Sequence, residues 1–175
     1  NFSANTNKVI ELSEKTKQVN VTDNTKYATV VVKEGERYGD LYGHKWKVDA
    51  ATGKYVVGAN GLPIVEANKK LGNFNPDALV GWSNSFSYKN FQLNTLIDAR
   101  IGGEIVSGTA AYLAAFGVGD FTETAREGGL VLDAVTETGA ANTTAITAQQ
   151  LWTTVSQNGR DAWGEFFTYD MTNVR

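Results

Sequence analysis

The sequence predicts an all-β protein organised around one long antiparallel hairpin within Leu71 to Gly103. Two segments of this stretch alternate apolar and small polar residues with the period of two that a strand requires. They are joined by Lys89 and Asn90, two residues that can form a hairpin turn. The composition agrees, because 18 Gly, 4 Trp and 7 Tyr residues suit a loop-rich β protein better than a helical bundle.

Each segment of the hairpin divides its side chains between two faces. In the first strand one face has Val80, Trp82, Asn84, Phe86 and Tyr88, and the other has Gly81, Ser83, Ser85 and Ser87. In the second strand one face has Phe91, Leu93, Thr95, Ile97 and Ala99, and the other has Gln92, Asn94, Leu96, Asp98 and Arg100. We expect the two strands to pair antiparallel, with the aromatic and aliphatic sets on the same side.

The length of the hairpin strands leaves two alternatives. Each strand has about ten residues, whereas strands of soluble proteins usually have about 5 to 6 and strands that cross a membrane about 9 to 11. Tyr88 and Phe91 flank the turn and Trp82 lies near the other end, as expected for aromatic residues at two membrane interfaces. From the residues alone, an outer-membrane barrel hairpin and a large soluble β-sheet both fit this pattern.

An ordered set of motifs carries a family resemblance. LGNFNPD begins at Leu71, GWSNSFSYKNFQL at Gly81 and DARIGGEIVSGTAAYL at Asp98. This succession resembles the late barrel region of the SusC/RagA family of TonB-linked outer-membrane transporters. Other segments fit in the same order, namely NTNKVIEL, ERYGDLYGHKW, TAREGG and TYDMTNVR. The resemblance covers nearly the whole chain and implies a fragment of a transmembrane antiparallel β-barrel of about twenty-two strands.

The resemblance also implies a function. Such a protein imports a bulky nutrient, an oligosaccharide or a peptide, through the outer membrane of a Gram-negative bacterium of the Bacteroidota type. Its implied partners are a SusD-like surface lipoprotein, outer-membrane lipid and TonB, which engages a plug region. We expect the plug to lie outside these 175 residues. The resemblance implies neither an enzymatic reaction nor a cofactor.

The rest of the chain is expected to surround this hairpin. Residues 13–78 and 102–162 are predicted as extracellular loops that carry short helices, 79–101 as the transmembrane hairpin and 163–175 as the start of a following strand. Long loops of barrels are extracellular, so the short turn at Lys89 should face the periplasm. The predicted smaller strands are the end of a strand within 1–12 and strands within 27–33, 40–49 and 54–65. Residues 67–77 are predicted as a connection and 127–145 as an irregular segment. Helices are predicted at 108–116 and at 147–155, and the second is capped by Thr147 and closed by Asn158 and Gly159.

Composition and spacing exclude several classes of site. A net charge of -3 gives no basic surface for nucleic acid, and the absence of cysteine excludes disulfides and thiolate metal sites. The single histidine, His44, has no metal-ligating residues at suitable spacing, so it is interpreted as a loop residue. The carboxylate pairs Asp40 with Asp49 and Glu123 with Glu127 are interpreted as solvated loop charges, which leaves a glycosidase fragment without support.

Two groups of residues are candidates for functional contacts. Asn94, Asp98 and Arg100 are expected to face the barrel lumen, because a charge on the lipid face near the midplane costs about 2 to 4 kcal/mol. There they either pair with polar groups of the barrel or plug, or touch the transported substrate. The loop aromatics Tyr42, Trp46, Tyr112 and Trp152 either contact ligand or partner, or anchor the loops. The alternative function is a secreted β-rich carbohydrate-binding module that uses these aromatics.

Overall fold

A computed structural model describes residues 1–22, 28–157 and 164–175. Antiparallel strands dominate these ranges, as the sequence predicts. The strands are β1 (Phe2–Ser3), β2 (Gln18–Asn20), β3 (Thr29–Lys33), β4 (Asp40–Trp46), β5 (Tyr55–Val57), β6 (Val65–Asn73), β7 (Ala78–Tyr88), β8 (Phe91–Ile101), β9 (Glu104–Val106), β10 (Leu130–Val131), β11 (Ala134–Thr136), β12 (Ala145–Ile146), β13 (Thr168–Asp170) and β14 (Asn173–Val174). The helices are α1 (Gly108–Ala115) and α2 (Ala148–Ser156), with short 3-10 helices at Asp120–Thr122 and Gly164–Phe167.

The predicted hairpin is confirmed. β7 and β8 pair antiparallel along their whole length, from Ala78 opposite Ile101 to Tyr88 opposite Phe91. Lys89 makes the turn possible by adopting a positive φ of 53°. Two short strands flank the hairpin, so the sheet has the order β1-β7-β8-β14.

A second sheet precedes the hairpin in the chain and has the order β2-β3-β4-β6. Its last strand, β6, occupies a segment predicted only as a connection. The pairing of β6 with β4 shifts register twice, and Asn68 within β6 adopts a positive φ of 56°. These irregularities interrupt the alternation of side chains, which is why the sequence pattern does not show the strand.

The apolar core of the molecule lies between the two helices and not in the hairpin sheet. It consists of Ala110, Ala111, Ala114, Ile146, Ala148, Leu151, Trp152, Val155 and Phe167. Both helices were predicted, and both begin at hydroxyl caps. The side chain of Ser107 accepts a hydrogen bond at the start of α1, and Thr147 forms a capping box with Gln150 at the start of α2.

Several predicted boundaries are wrong. The N-terminal strand has only two residues, Phe2–Ser3. The segment predicted as irregular at 127–145 contains two short strands and the first residue of a third. The predicted strand at 163–175 begins only at Thr168, because Gly164–Phe167 is a 3-10 helix whose Phe167 is fully buried in the helical core. Tyr27, Asn158, Gly159 and the predicted boundary at residues 162 and 163 lie outside the described residues.

Candidate functional site

The hairpin sheet has two chemically different faces. Residues directly opposite each other in an antiparallel pair project to the same side, so the register assigns every side chain to a face. The apolar face has Phe2, Val80, Trp82, Asn84, Phe86, Tyr88, Phe91, Leu93, Thr95, Ile97, Ala99 and Val174. The polar face has Ser3, Leu79, Gly81, Ser83, Ser85, Ser87, Gln92, Asn94, Leu96, Asp98, Arg100 and Asn173. The predicted division of the hairpin residues is confirmed.

The apolar face is uncovered and carries no charged side chain. Trp82 is 49% exposed, Phe86 53% and Phe91 80%. Soluble monomers rarely expose a contiguous apolar surface of this kind, and where one occurs it marks contact with a membrane or another protein. The face therefore suits an apolar environment that the described residues do not supply.

A cavity of about 640 Å³ lies at the end of the hairpin away from the turn, and residues of both faces line it. Its lining includes charges of both signs, from Asp98, Arg100, Asp170 and Arg175. Arg175 and Asp98 exchange backbone hydrogen bonds of 2.8 and 2.9 Å, so they lie directly opposite each other. The cavity thus presents acidic and basic groups together with apolar side chains such as Phe2 and Val80.

Individual polar residues of this face differ in how they are held. Asn94 lies nearer the turn, where its Oδ1 accepts a hydrogen bond of 2.7 Å from Ser85. Arg100 donates to the carbonyl oxygen of Phe74 at 3.1 Å, so its guanidinium supports the chain that leads into β7. The Thr172 hydroxyl and backbone N–H both donate to the Asp170 carboxylate.

A buried polar network connects β4 and β6 of the second sheet. Asp40 is fully buried, and its carboxylate accepts hydrogen bonds from Lys70 at 2.5 Å and from the Asn73 amide at 2.7 Å. The interpretation of Asp40 as a solvated charge is therefore wrong, because contacts remote in sequence enclose it. Asp49 does lie in an exposed turn, where hydrogen bonds from Thr52 lower its pKa.

Asn73 is the hub of this network and was not identified from the sequence. Its Nδ2 also donates to the Tyr38 carbonyl at 3.1 Å, and its Oδ1 accepts from the Asn75 backbone at 2.8 Å. Its own backbone N–H donates to the Glu104 carboxylate at 2.7 Å. Asn73 thereby ties β4, β6 and β9 together just before the hairpin begins. In the sequence, the LGNFNPD motif that contains Asn73 is the feature that could have identified it.

The loop aromatics belong mainly to the interior of the loops. Trp152 is only 7% exposed, and its ring lies 5.3 Å from that of Phe166. Trp46 stacks on the same Phe166 ring at 5.9 Å. These two candidates are anchors that join the β4 region to the helical core. Tyr112, on the outer side of α1, is 50% exposed.

Tyr42 is held by a carboxylate. Its hydroxyl donates a short hydrogen bond to Glu36. Burial, together with this bond and the nearby negative charge, raises the pKa of Tyr42. The same hydrogen bond, with a smaller contribution from Lys33, lowers the pKa of Glu36. Glu36 therefore stays ionised and Tyr42 neutral around pH 7.

Comparison with known proteins gives a partial match. No family model matches the chain. Over 100 aligned residues the chain is 29% identical to TonB-dependent receptor P3 of Formosa agariphila. The chain is distantly similar to a TonB-dependent receptor. The alignment covers 46% of this chain. The chain spans only about 10% of the length of that receptor.

The described residues contain neither a helix that could cross a membrane nor a group of three metal-ligating side chains. α1 and α2 are too short and not apolar enough to span. His, Asp and Glu side chains of the described ranges do not converge in threes or more. What the site presents is one apolar surface, one polar surface with mixed charges, and a folded loop region attached to both.

Proposed function

We propose that the chain forms part of the wall and extracellular mouth of a SusC/RagA-type TonB-dependent transporter in the outer membrane. The observation that carries this proposal is the amphipathic hairpin sheet, whose apolar face is exposed and free of charge while its opposite face is polar. Both hairpin strands have 11 residues, enough to cross a bilayer at the usual tilt of barrel strands, for which about 9 to 11 suffice. The distant similarity to a TonB-dependent receptor supports the same class.

In this proposal the two faces contact different surroundings. Lipid covers the apolar face, and the polar face with Asn94, Asp98 and Arg100 lines the lumen. No strand within the described residues pairs with the outer edge of β7 beyond Trp82 or of β8 before Ile97. Because a bilayer offers backbone groups no water, we expect neighbouring strands of the same barrel to pair with both edges.

The loop region forms the extracellular mouth. Residues 13–78 and 102–162 both leave the hairpin at the end opposite Lys89, so a membrane crossing by the hairpin puts them on one side of the membrane. There they can contact a SusD-like lipoprotein and cargo such as an oligosaccharide or peptide, and Tyr112 is the exposed aromatic candidate for such a contact. TonB would engage a plug outside these residues, and the transporter catalyses no reaction.

The alternative, a secreted carbohydrate-binding module, has less support. A sugar-binding platform needs exposed aromatic rings, whereas Trp152 is buried and Trp46 is packed between other rings. Within the described residues, the exposed rings of Trp82, Phe86, Tyr88 and Phe91 instead follow one another along the hairpin. These side chains alternate with polar ones on a sheet long enough to cross a membrane.

A pair of adjacent arginine substitutions tests the proposal. Ile97 and Leu96 are both exposed aliphatic residues, at 44% and 67%, but they lie on opposite faces. In the full-length protein, Ile97→Arg should lower the free energy of unfolding by about 2 to 4 kcal/mol, because it puts a charge against lipid. Leu96→Arg should have little effect, because water fills the lumen. The readouts are the folded fraction in outer membranes, from heat-modifiable gel mobility, and urea unfolding in liposomes.

The outcomes separate the two functions. A loss of folded protein with Ile97→Arg alone supports the membrane wall. Equal tolerance of both substitutions, with the protein recovered from the soluble fraction, would contradict it and favour the secreted module. Greater damage from Leu96→Arg would place the polar face against lipid and reverse the assignment of the two faces.

A further inference from the structure

The ladder formed by β8 and β14 continues above the hairpin. β9 pairs with β13, with Glu104 opposite Asp170 and Ile105 opposite Tyr169. Between the two ladders, Gly102 and Gly103 adopt positive φ angles of 72° and 90° and form a local irregularity. The Met171 N–H donates to the Gly103 carbonyl at 2.8 Å across it. The two chain segments therefore stay side by side, although the alternation of side chains must be established anew beyond the glycines.

The pair of Glu104 and Asp170 lies on the polar side. Asp170 lies directly opposite Glu104, so the two side chains project to the same side. Glu104 accepts a hydrogen bond from the Asn73 backbone, next to the Phe74 carbonyl to which Arg100 donates. The contact of Glu104 thus puts this acidic pair on the side of the polar face.

Ile105 and Tyr169 must then project to the opposite, apolar side, because neighbouring residues of a strand alternate. Their exposed fractions agree, at 50% for Ile105 and 44% for Tyr169. The next residue, Val106, instead packs against the helical core. An uncharged, exposed cross-strand pair thereby extends the apolar face of the hairpin towards the loops.

The height of this pair can be estimated from strand geometry. Ile105 follows Phe91 by fourteen residues. A strand rises about 3.4 Å per residue and is tilted by about 40° in a barrel, so fourteen residues correspond to roughly 35 Å along the membrane normal. The hydrocarbon core of a bilayer is about 30 Å thick, and about 40 to 45 Å with its headgroups. With Tyr88 and Phe91 at the inner interface, Ile105 and Tyr169 reach the outer headgroup level. Trp82, only six residues from Tyr88, stays roughly 16 Å above it, within the apolar band.

We infer that Ile105 and Tyr169 bind the boundary between acyl chains and headgroups of the outer leaflet, and that Tyr169, not Trp82, is the aromatic residue of the outer interface. This inference rests on the proposed membrane function and adds a second, upper segment to the lipid-contacting surface. A tyrosine suits this position, because its ring contacts acyl chains while its hydroxyl remains hydrated. The ligand is the lipid interface itself.

Spin-label depth measurements test the inference in the full-length protein reconstituted into liposomes. The 175 residues contain no cysteine, so single substitutions such as Ile105→Cys and Tyr169→Cys introduce a unique label here, with the unsubstituted protein as background. Ile97→Cys reports the middle of the apolar face, and Phe116→Cys, on an exposed end of α1, reports water. The measured quantity is the collision rate of the nitroxide with oxygen relative to that with a water-soluble nickel chelate.

The oxygen-to-nickel ratio should be highest at Ile97, lowest at Phe116 and intermediate at both Ile105 and Tyr169. A ratio at Ile105 and Tyr169 equal to that at Phe116, with Ile97 still in lipid, overturns this inference and leaves the proposed function standing. A ratio equal to that at Ile97 also overturns it, since the pair would then lie among acyl chains. A water-like ratio at Ile97 overturns the proposed function as well. Agreement between the Ile105 and Tyr169 labels guards against a local disturbance by either substitution.

Discussion

The hairpin sheet and the helical core contain the same kinds of apolar side chain, but the sheet exposes them and the core buries them. Phe167 of the loop core is fully buried by its own chain, whereas Phe86 of the sheet is 53% exposed. The loop region makes its own interior, with helices packed face to face. The sheet has no such interior, so its apolar residues make sense only against another apolar phase. In the proposed membrane setting, the surroundings of the two regions differ more than their side-chain types.

Polar groups repeat the contrast. In the loop region the buried Asp40 carboxylate is enclosed and satisfied by Lys70 and Asn73. In the sheet, polar side chains occupy one whole face and remain open to water. The two regions therefore differ, because the buried Asp40 carboxylate bonds to protein partners whereas most polar side chains of the sheet face are exposed.

Truncating the loop core should have the largest effect. Phe167→Ala removes a ring with no exposed surface and should destabilise the helical region by about 3 to 5 kcal/mol. Amide hydrogen exchange of α1 and α2 in the full-length protein measures this directly. Phe116→Ala is the matched control, because Phe116 is 75% exposed. Equal acceleration of exchange in both variants would mean that the loops have no independent core.

Removing the buried carboxylate should have the next largest effect. Asp40→Ala leaves the buried Asn73 amide without one acceptor, at a cost of about 1 to 3 kcal/mol. The loss should appear as faster amide exchange in β4 and β6. The control is Asp133→Ala, which breaks an ion pair with Lys54. The Asp133 side chain is 84% exposed, so this variant should leave amide exchange nearly unchanged. Similar behaviour of the two variants would show that the enclosed network does not hold the sheet.

Tyr42→Phe should produce a smaller effect that depends on pH. It removes the main hydrogen bond to Glu36. Because the Glu36 side chain is 26% exposed, this bond is worth only about 1 kcal/mol. The folded-state pKa of Glu36 is lowered, so this stabilisation is present near pH 7 and is lost as the pH falls through the lowered pKa. Stability curves of the two proteins should therefore converge in acid. A difference that stays constant down to acidic pH would exclude Glu36 as its source, and Tyr38→Phe serves as the control.

The hairpin turn offers the smallest effect. Lys89 adopts a positive φ, which costs a non-glycine residue about 1 to 2 kcal/mol. Lys89→Gly relieves this strain but adds flexibility to the unfolded chain, so a net gain below about 1 kcal/mol is expected. The urea midpoint in liposomes measures it. Asn90→Gly, at a position without positive φ, should gain nothing, and an equal gain there would remove the conformational explanation.

Local signals made the hairpin and the helices predictable from the sequence. Alternation with period two over two long segments defines β7 and β8 without reference to the rest of the chain. The hydroxyl cap at Thr147 marks the start of the second helix equally locally. The faces of Asn94, Asp98 and Arg100 followed from the same alternation, and the register confirms that they share one side.

Features that depend on distant contacts were missed. The burial of Asp40 arises from β6, and the 3-10 helix at Gly164–Phe167 exists where Phe167 enters a core made by helices from elsewhere in the chain. A tryptophan in a loop segment looks the same in the sequence whether its ring is exposed or packed. The sequence therefore could not decide whether Trp46 and Trp152 are anchors. Asn73 lay in a noted motif, but its hub role needs partners up to 35 residues away.

The most direct test of the membrane-facing sheet is a cysteine scan along β8, one position at a time from Gln92 to Ala99, in the full-length protein in outer membranes. A charged, water-soluble maleimide should label Gln92, Asn94, Leu96 and Asp98 positions readily and leave the Leu93, Thr95, Ile97 and Ala99 positions protected. Detergent denaturation should make all eight equally reactive. Uniform labelling in the membrane, or protection of the even-numbered positions instead, would contradict the assignment of lipid to the apolar face.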